Sequence, residues 1–242
     1  YVFTIPLNSE KYLDKGGLAL RDQGTDPTRL ESGTALRLWA SASGLNGYWP
    51  FDEGSGTTAR DSSGNVNNGT LINDPARTTG KIGNALQFDG LDDYVEIPAS
   101  ASLTLPGNSE SVFLWVRPSS DYVLFHESWD RRLFYGGNNF QFRLENTAAT
   151  TFVLDSGANY PSGQFYHVGY TASADFTVRM YVNGILTDTE NILSNLRTPS
   201  GFWWLGRVCA GIGCGNYFSG TIDEVPINSS PLSAPEVKAL YN

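Results

Sequence analysis

The sequence predicts an all-β protein: a two-sheet antiparallel sandwich of the jelly-roll kind, with one short helix at its C-terminal end. Three observations predict it. Apolar and polar residues alternate with period two in several segments, 26 glycines and 12 prolines cut the chain into short intervals, and only one stretch carries helix-start signals. The 242 residues are enough to bury one large core.

Residues 1–44 form a β-rich segment that reads as the tail of a preceding domain or as extra strands. In it "YVFTIPL" and "TALRLWA" look like strands around a polar, turn-rich middle. Residues 45–242 form the main domain. "SVFLWVRP" is apolar on both faces, which places its strand centrally in a sheet. In "FQFRLEN" Phe140, Phe142 and Leu144 alternate with polar residues, so one face is buried. "FTVRMYVNG" puts Phe176, Val178, Met180 and Val182 on one face, and Asn183-Gly184 is the dipeptide of a tight hairpin turn. In "PLSAPEVKALY" Ser233 precedes Glu236 by three residues, the spacing of a capping box, so a helix should run over 234–241.

Composition narrows the partners. Lys and Arg total 16 against 25 Asp and Glu, a net charge of −9, which repels nucleic acid and anionic membranes. No apolar run has the roughly 18 residues of a membrane span. A chain that begins at Tyr1, with Met180 as its single methionine, is expected to be a processed piece of something longer. Cys209 and Cys214 can close a small disulfide loop, while a metal site would need more soft ligands than two Cys and two distant His. Such a disulfide fits an extracellular or cell-surface setting.

Two carboxylates stand out. On a regular strand Asp223 would share its face with Thr221, Val225 and Ile227, and a carboxylate on an apolar face must be paired, hydrogen-bonded or metal-bound. Asp52, in the glycine-rich "WPFDEG", is a second candidate. A calcium ion would accept both carboxylates and turn carbonyls. Backbone amides at strand ends are the alternative partners. "DEGSGTTAR" lacks the lysine of a phosphate loop, and "DSSGNVNNG" has no glutamate to close a calcium-binding helix-loop-helix. Asp89, Asp92 and Asp93 read equally as turn residues and as weaker cation ligands.

Four ordered stretches carry a family resemblance: "LNGYWPFDEGSGTTARDSSGNVNNGTL", "GKIGNALQFDGLDDYVEIP", "FYHVGYTASADFTVRMYVNGIL" and "FSGTIDEVPINSSPLSAPEVKALY". Over residues 45–242 the chain resembles laminin G-like domains of the concanavalin A-like lectin and glucanase class. The resemblance implies a jelly roll with one concave and one convex sheet, and a structural calcium tying Asp52 to Asp223. "EVPIN" departs from it, since such domains usually carry arginine where Pro226 stands; an edge strand is the expected reason. "YVFTIPLNSEKYLDKGGLAL" resembles the C-terminal β-region of bacterial pilins, which implies a tip subunit of a surface appendage as an alternative role.

The same class includes glycoside hydrolases, whose retaining members hold two carboxylates about 5 Å apart. The Glu-x-Asp-x-x-Glu stretch of its laminarinase-like enzymes does not occur, and Glu127 with Asp130, or Asp93 with Glu96, would face opposite sides of a strand. The expectation is therefore a non-catalytic module that binds a glycan or glycoprotein, or an accessory domain of a glycoside-active enzyme. Trp115, Arg117, His167, Arg179 and Tyr181 sit at strand positions that could face the concave sheet. Trp129 lies in an expected loop with Asp130, Arg131 and Arg132, and could gate one end. Core packing competes with the ligand role for Trp115, and sheet hydrogen bonding for His167.

Overall fold

The computed structural model describes residues 44–241, apart from 106–107, 128–130, 158, 199–200 and 211–212, together with two short strands at 19–21 and 37–39. Those two, β1 (Ala19–Arg21) and β2 (Arg37–Trp39), pair antiparallel with one another. The rest of residues 1–43, including most of the pilin-like stretch, lies outside the described residues.

The following strands are β3 (Leu45–Trp49), β4 (Thr58–Ala59), β5 (Gly69–Ile72), β6 (Ala76–Thr79), β7 (Asn84–Asp89), β8 (Tyr94–Ile97), β9 (Glu110–Pro118) and β10 (Tyr122–Glu127). Next come β11 (Arg131–Gly136), β12 (Asn139–Glu145), β13 (Thr151–Asp155), β14 (Tyr166–Ala172), β15 (Thr177–Val182) and β16 (Ile185–Asn191). The last strands are β17 (Trp203–Leu205), β18 (Arg207–Ala210), β19 (Gly213–Tyr217), β20 (Ser219–Asp223) and β21 (Val225–Asn228), before helix α1 (Ala234–Tyr241).

Two antiparallel sheets stack in a jelly-roll sandwich. One has eight strands in the order β13-β12-β11-β10-β17-β8-β5-β4. The other follows β16-β15-β14-β9-β20-β7-β6, with β21 and β3 joined beside β9. Period-two alternation fills the space between them: Phe140, Phe142 and Leu144 of β12 meet Val112, Leu114 and Val116 of β9 and Val168 and Tyr170 of β14 in one continuous core. The strand β9 is paired on both edges, with β14 on one side and with β20 and β21 on the other, as its two apolar faces predict.

The hairpin β15–β16 turns through Asn183 (φ 53°) and Gly184 (φ 73°), both left-handed, so the Asn-Gly dipeptide supplies the conformation this tight turn requires. Phe176 does not belong to the strand: its φ of 64° places it in the preceding turn. The helix starts as its capping signals predict, with the Ser233 amide donating to Glu236 Oε2 at 2.7 Å.

Two expectations about the last strands are corrected. Glu224 has φ 49° and breaks the strand, so Asp223 shares its face with Thr221 and Trp115, whereas Val225 and Ile227 turn into the core. Pro226 is not on an edge. Its strand lies between β3 and β9, and Pro226 falls where the ladder to β9 is interrupted, between Asp223 opposite Trp115 and Ile227 opposite Val112.

Candidate functional site

Asp52 follows β3, Asp223 ends β20, and the turn "GKIGN" between β6 and β7 meets both. The Ile82 amide donates to Asp223 Oδ2 at 3.0 Å, and the Asn84 amide donates to Asp52 Oδ1 at 2.9 Å. The turn itself closes with Gly80 N–H on Gly83 O at 3.0 Å. A Cβ on Gly80 would collide with Asp223 Oδ2 and the Asn84 carbonyl, and one on Gly83 would collide with Asp52 Oδ1. The glycines therefore let the backbone come close to the acids.

These amides satisfy one oxygen of each carboxylate. Asp223 Oδ1 is buried and has no hydrogen-bond partner among the described residues. Burial, helped by the charges of Glu224 and Asp52, pushes the Asp223 carboxyl up to about 8. Tyr48 Oη donates to Glu224 Oε2 at 2.5 Å, which anchors the neighbouring acid. An orphaned oxygen beside a second carboxylate, in a donor set made of oxygens, fits a hard cation such as calcium. Asp89, Asp92 and Asp93 form a second acidic group, with one oxygen from each lying within 4.8 Å of the others. There the Asp89 carboxylate is already used by the Leu91 amide at 2.8 Å, in the manner of a turn.

The structure brings Trp115, His167 and Tyr181 together on the outer face of the nine-stranded sheet, but α1 covers that face. Trp115 stacks on Tyr241 of the helix, with centroids 5.7 Å apart, and Lys81 Nζ lies 4.7 Å from its ring. Tyr181 packs with Phe113, Leu232 and Val237. His167 lies between Phe113 and Trp115, each 5.1 Å away. All three are buried, so core packing takes these positions in place of an open ligand platform. Arg117 stacks on Phe165 at 4.9 Å and donates to Thr221 Oγ1 at 3.1 Å, and Arg179 is half-buried on β15. Trp129 lies outside the described residues.

Burial depresses the His167 imidazole to about 3. Its folded value lies below the usual 6.5, so the unfolded chain takes the proton first. Stability is complete above about pH 6.5 and falls as pH drops towards 3, by about 2 kcal/mol at pH 5. Urea unfolding of His167→Phe should therefore lose about 2 kcal/mol less than the parent between pH 7 and pH 5. Equal losses in both proteins would show that this histidine is not the group responsible.

Two groups escaped the sequence reading. Arg131 was expected in a loop; instead it opens β11, is fully buried, and reaches across the sandwich to Glu110. On the outer face of the eight-stranded sheet, Tyr94, Trp204 and Arg207 come together with Glu96 and are all half-buried. Alternation was the available signal for the second group, because Trp204 stands between two residues that read as core, Trp203 and Leu205. The backbone register sets Cys209 opposite Cys214 in the hairpin β18–β19.

A laminin G-like family model of the concanavalin A-like lectin/glucanases superfamily matches residues 88–238, and the chain belongs to that superfamily. No curated protein matches it by sequence. Among solved structures it is similar to domain 4 of AbnA, a GH43 extracellular arabinanase from Geobacillus stearothermophilus, in complex with arabinotriose. That likeness has a TM-score of 0.67 at 22% identity and covers 82% of this chain and 98% of that one. The binding domain of Paraclostridial Mosquitocidal Protein 1 gives 0.70 at 13% identity, covering 83% of this chain and 52% of that one. The receptor binding domain of botulinum neurotoxin C/D mosaic serotype gives 0.65 at 13%, covering 83% and 51%. The chain thus spans about half the length of the two toxin domains, and at these identities the likeness is one of fold.

Proposed function

We propose that this chain is a non-catalytic module that binds glycans or glycoproteins outside the cell or at its surface, stapled by calcium at Asp52 and Asp223. The observation that carries the binding part is the aromatic face of exposed Phe202 and partly buried Trp204 and Tyr94, on the same fold as a domain solved with arabinotriose. Aromatic faces stack on the apolar faces of sugars, and a few fixed polar groups orient them. The acids with the most telling positions are engaged in structure: Glu110 with Arg131, Glu96 with Trp204, and Asp52 and Asp223 with the amides of one turn. That employment favours binding over hydrolysis. Oxidation of Cys209 and Cys214 belongs to the same extracellular reading.

Likeness to an arabinanase domain supports a second reading, in which the chain is an accessory module delivering a glycoside-active enzyme to its polymer. Both readings are tested by a glycan array run beside a reducing-sugar assay on every glycan retained. Retention without release of reducing ends is expected. Release by the purified chain would overturn the non-catalytic assignment, and an empty array would remove the glycan.

A further inference from the structure

We infer that a cavity at one end of the sandwich, where β8 ends and β17 begins, holds the terminal residue of a neutral glycan; this deepens the glycan-binding reading above and rests on it. The cavity measures about 250 Å³. Residues of the 99–104 loop, among them Ser100, Ala101 and Thr104, form one wall, and Gly201 and Trp203 form the other. Trp203 is 1% exposed, with its ring centroid 5.0 Å from that of Phe125, yet its indole N–H has no hydrogen-bond partner among the described residues. Trp49, equally buried, gives its N–H to the Asn67 carbonyl at 2.9 Å, and Trp204 gives its own to Glu96 Oε2 at 3.0 Å. A buried indole N–H ordinarily meets an acceptor, and one left unmet has lost water for nothing. Trp203 carries such a donor in the wall of a cavity, where the oxygen of a ligand would accept it.

The loop wall is fixed before any ligand arrives. Asn46 Nδ2 donates to the Ser102 carbonyl at 2.6 Å, and the Ser100 and Ser102 hydroxyls both donate to Asn67 Oδ1, at 2.5 and 3.0 Å. A loop so fastened loses little freedom on binding. Its polar groups define the class of ligand. Trp203 supplies a donor, while Ser100 and Thr104, whose protons go to Asn67 Oδ1 and to the Ser100 carbonyl, keep the capacity to accept. A sugar hydroxyl answers both kinds of group, and the small apolar side chains of Ala99, Ala101 and Leu103 suit the C–H faces of its ring. No Lys, Arg, Asp or Glu lines the cavity among the described residues, so a carboxylate or sulfate would lose water there without meeting a counter-charge. Sites for whole small molecules run from about 300 Å³ upward, so this smaller space suits one ring, and a longer glycan enters by its end. Phe202, 41% exposed, stands between the lining residues Gly201 and Trp203 and stacks on Trp204 at 5.9 Å. The next sugar of the chain would leave over Phe202.

The test is a heteronuclear NMR titration of the whole chain, reading the indole N–H signal that Trp203→Phe removes. The probes are arabinose and galactose, each also as its trisaccharide, with galacturonate as the acidic counterpart. At least one neutral probe should move that signal to saturation, and galacturonate should leave it in place. Trp203→Phe keeps an aromatic ring and loses the donor, so it should bind that probe about threefold to tenfold more weakly. Ala101→Phe, at an exposed position, should fill the cavity and abolish binding with no change in melting temperature; it decides the location if Trp203→Phe fails to fold. The trisaccharide should bind more tightly than its monosaccharide, and Phe202→Ala should remove that difference; an unchanged difference overturns the exit over Phe202. An equal response to galactose and galacturonate overturns the neutral class. A signal that no neutral probe moves, or an Ala101→Phe variant that binds like the parent, overturns the cavity, and glycans still retained on the array leave the glycan-binding reading intact. An unmoved signal together with an empty array removes both.

Discussion

Glu110→Ala is expected to cost about 3 to 5 kcal/mol of unfolding free energy, because it strands a charge in the core. Glu110 opens β9 in one sheet and Arg131 opens β11 in the other; both side chains are fully buried. The guanidinium gives Nε to Glu110 Oε1 at 2.6 Å and Nη2 to Oε2 at 2.8 Å, while Nη1 donates to the Arg197 carbonyl at 2.6 Å. Tyr170 Oη donates to Glu110 Oε1 at 2.5 Å, and burial together with the Glu110 charge holds that phenol well above its usual range. With all three guanidinium nitrogens engaged, the pair offsets its desolvation; with the acid removed, the guanidinium has lost water and partner together. Urea unfolding reads the loss. The double change Glu110→Leu with Arg131→Met should recover part of it, because apolar side chains of similar volume need no hydrogen bonds while the Tyr170 hydroxyl is left without its acceptor. A loss below about 1 kcal/mol in the single variant would mean that water reaches the pair.

That ion pair marks where the sequence stops being legible. Period-two alternation reads directly for β12, because only its inward residues touch the core, and Asn183-Gly184 names its own turn. Such signals are local. Glu110 and Arg131 are 21 residues apart and meet only once two sheets stack, so Arg131, beside Asp130 and Arg132, reads as a solvated loop. Facing failed for a related reason at β20 and β21. One left-handed residue, Glu224, reverses the phase of everything after it, and nothing in "IDEVP" announces a positive φ at a glutamate. The burial of Trp115, His167 and Tyr181 was not legible, because aromatic positions on β9, β14 and β15 look the same whether solvent or a helix lies above them. The helix itself was legible down to its cap, but its landing place on Trp115 and Tyr181 is a tertiary fact.

Calcium in excess over chelator should raise the melting temperature, and Asp223→Ala should abolish the rise. The expected size follows from linkage: an ion at a hundredfold its dissociation constant stabilises by about 2.7 kcal/mol. For a chain of this length that is a shift of roughly 5 to 11 °C. The physical reason lies in Asp223. It ends β20 with one oxygen held by the Ile82 amide and the other buried without a partner among the described residues, beside Asp52 and Glu224. A divalent ion would accept Asp223 Oδ1 as a ligand and neutralise the crowding, joining β3, the β6–β7 turn and β20 at one point. Asp223→Asn separates this from packing. It keeps the shape and the bond from the Ile82 amide, so in chelator it should melt at or above the parent, and in calcium it should gain nothing. If the parent melts at the same temperature in calcium and in chelator, the amides of "GKIGN" alone hold the two acids, and the clasp is made of backbone without metal.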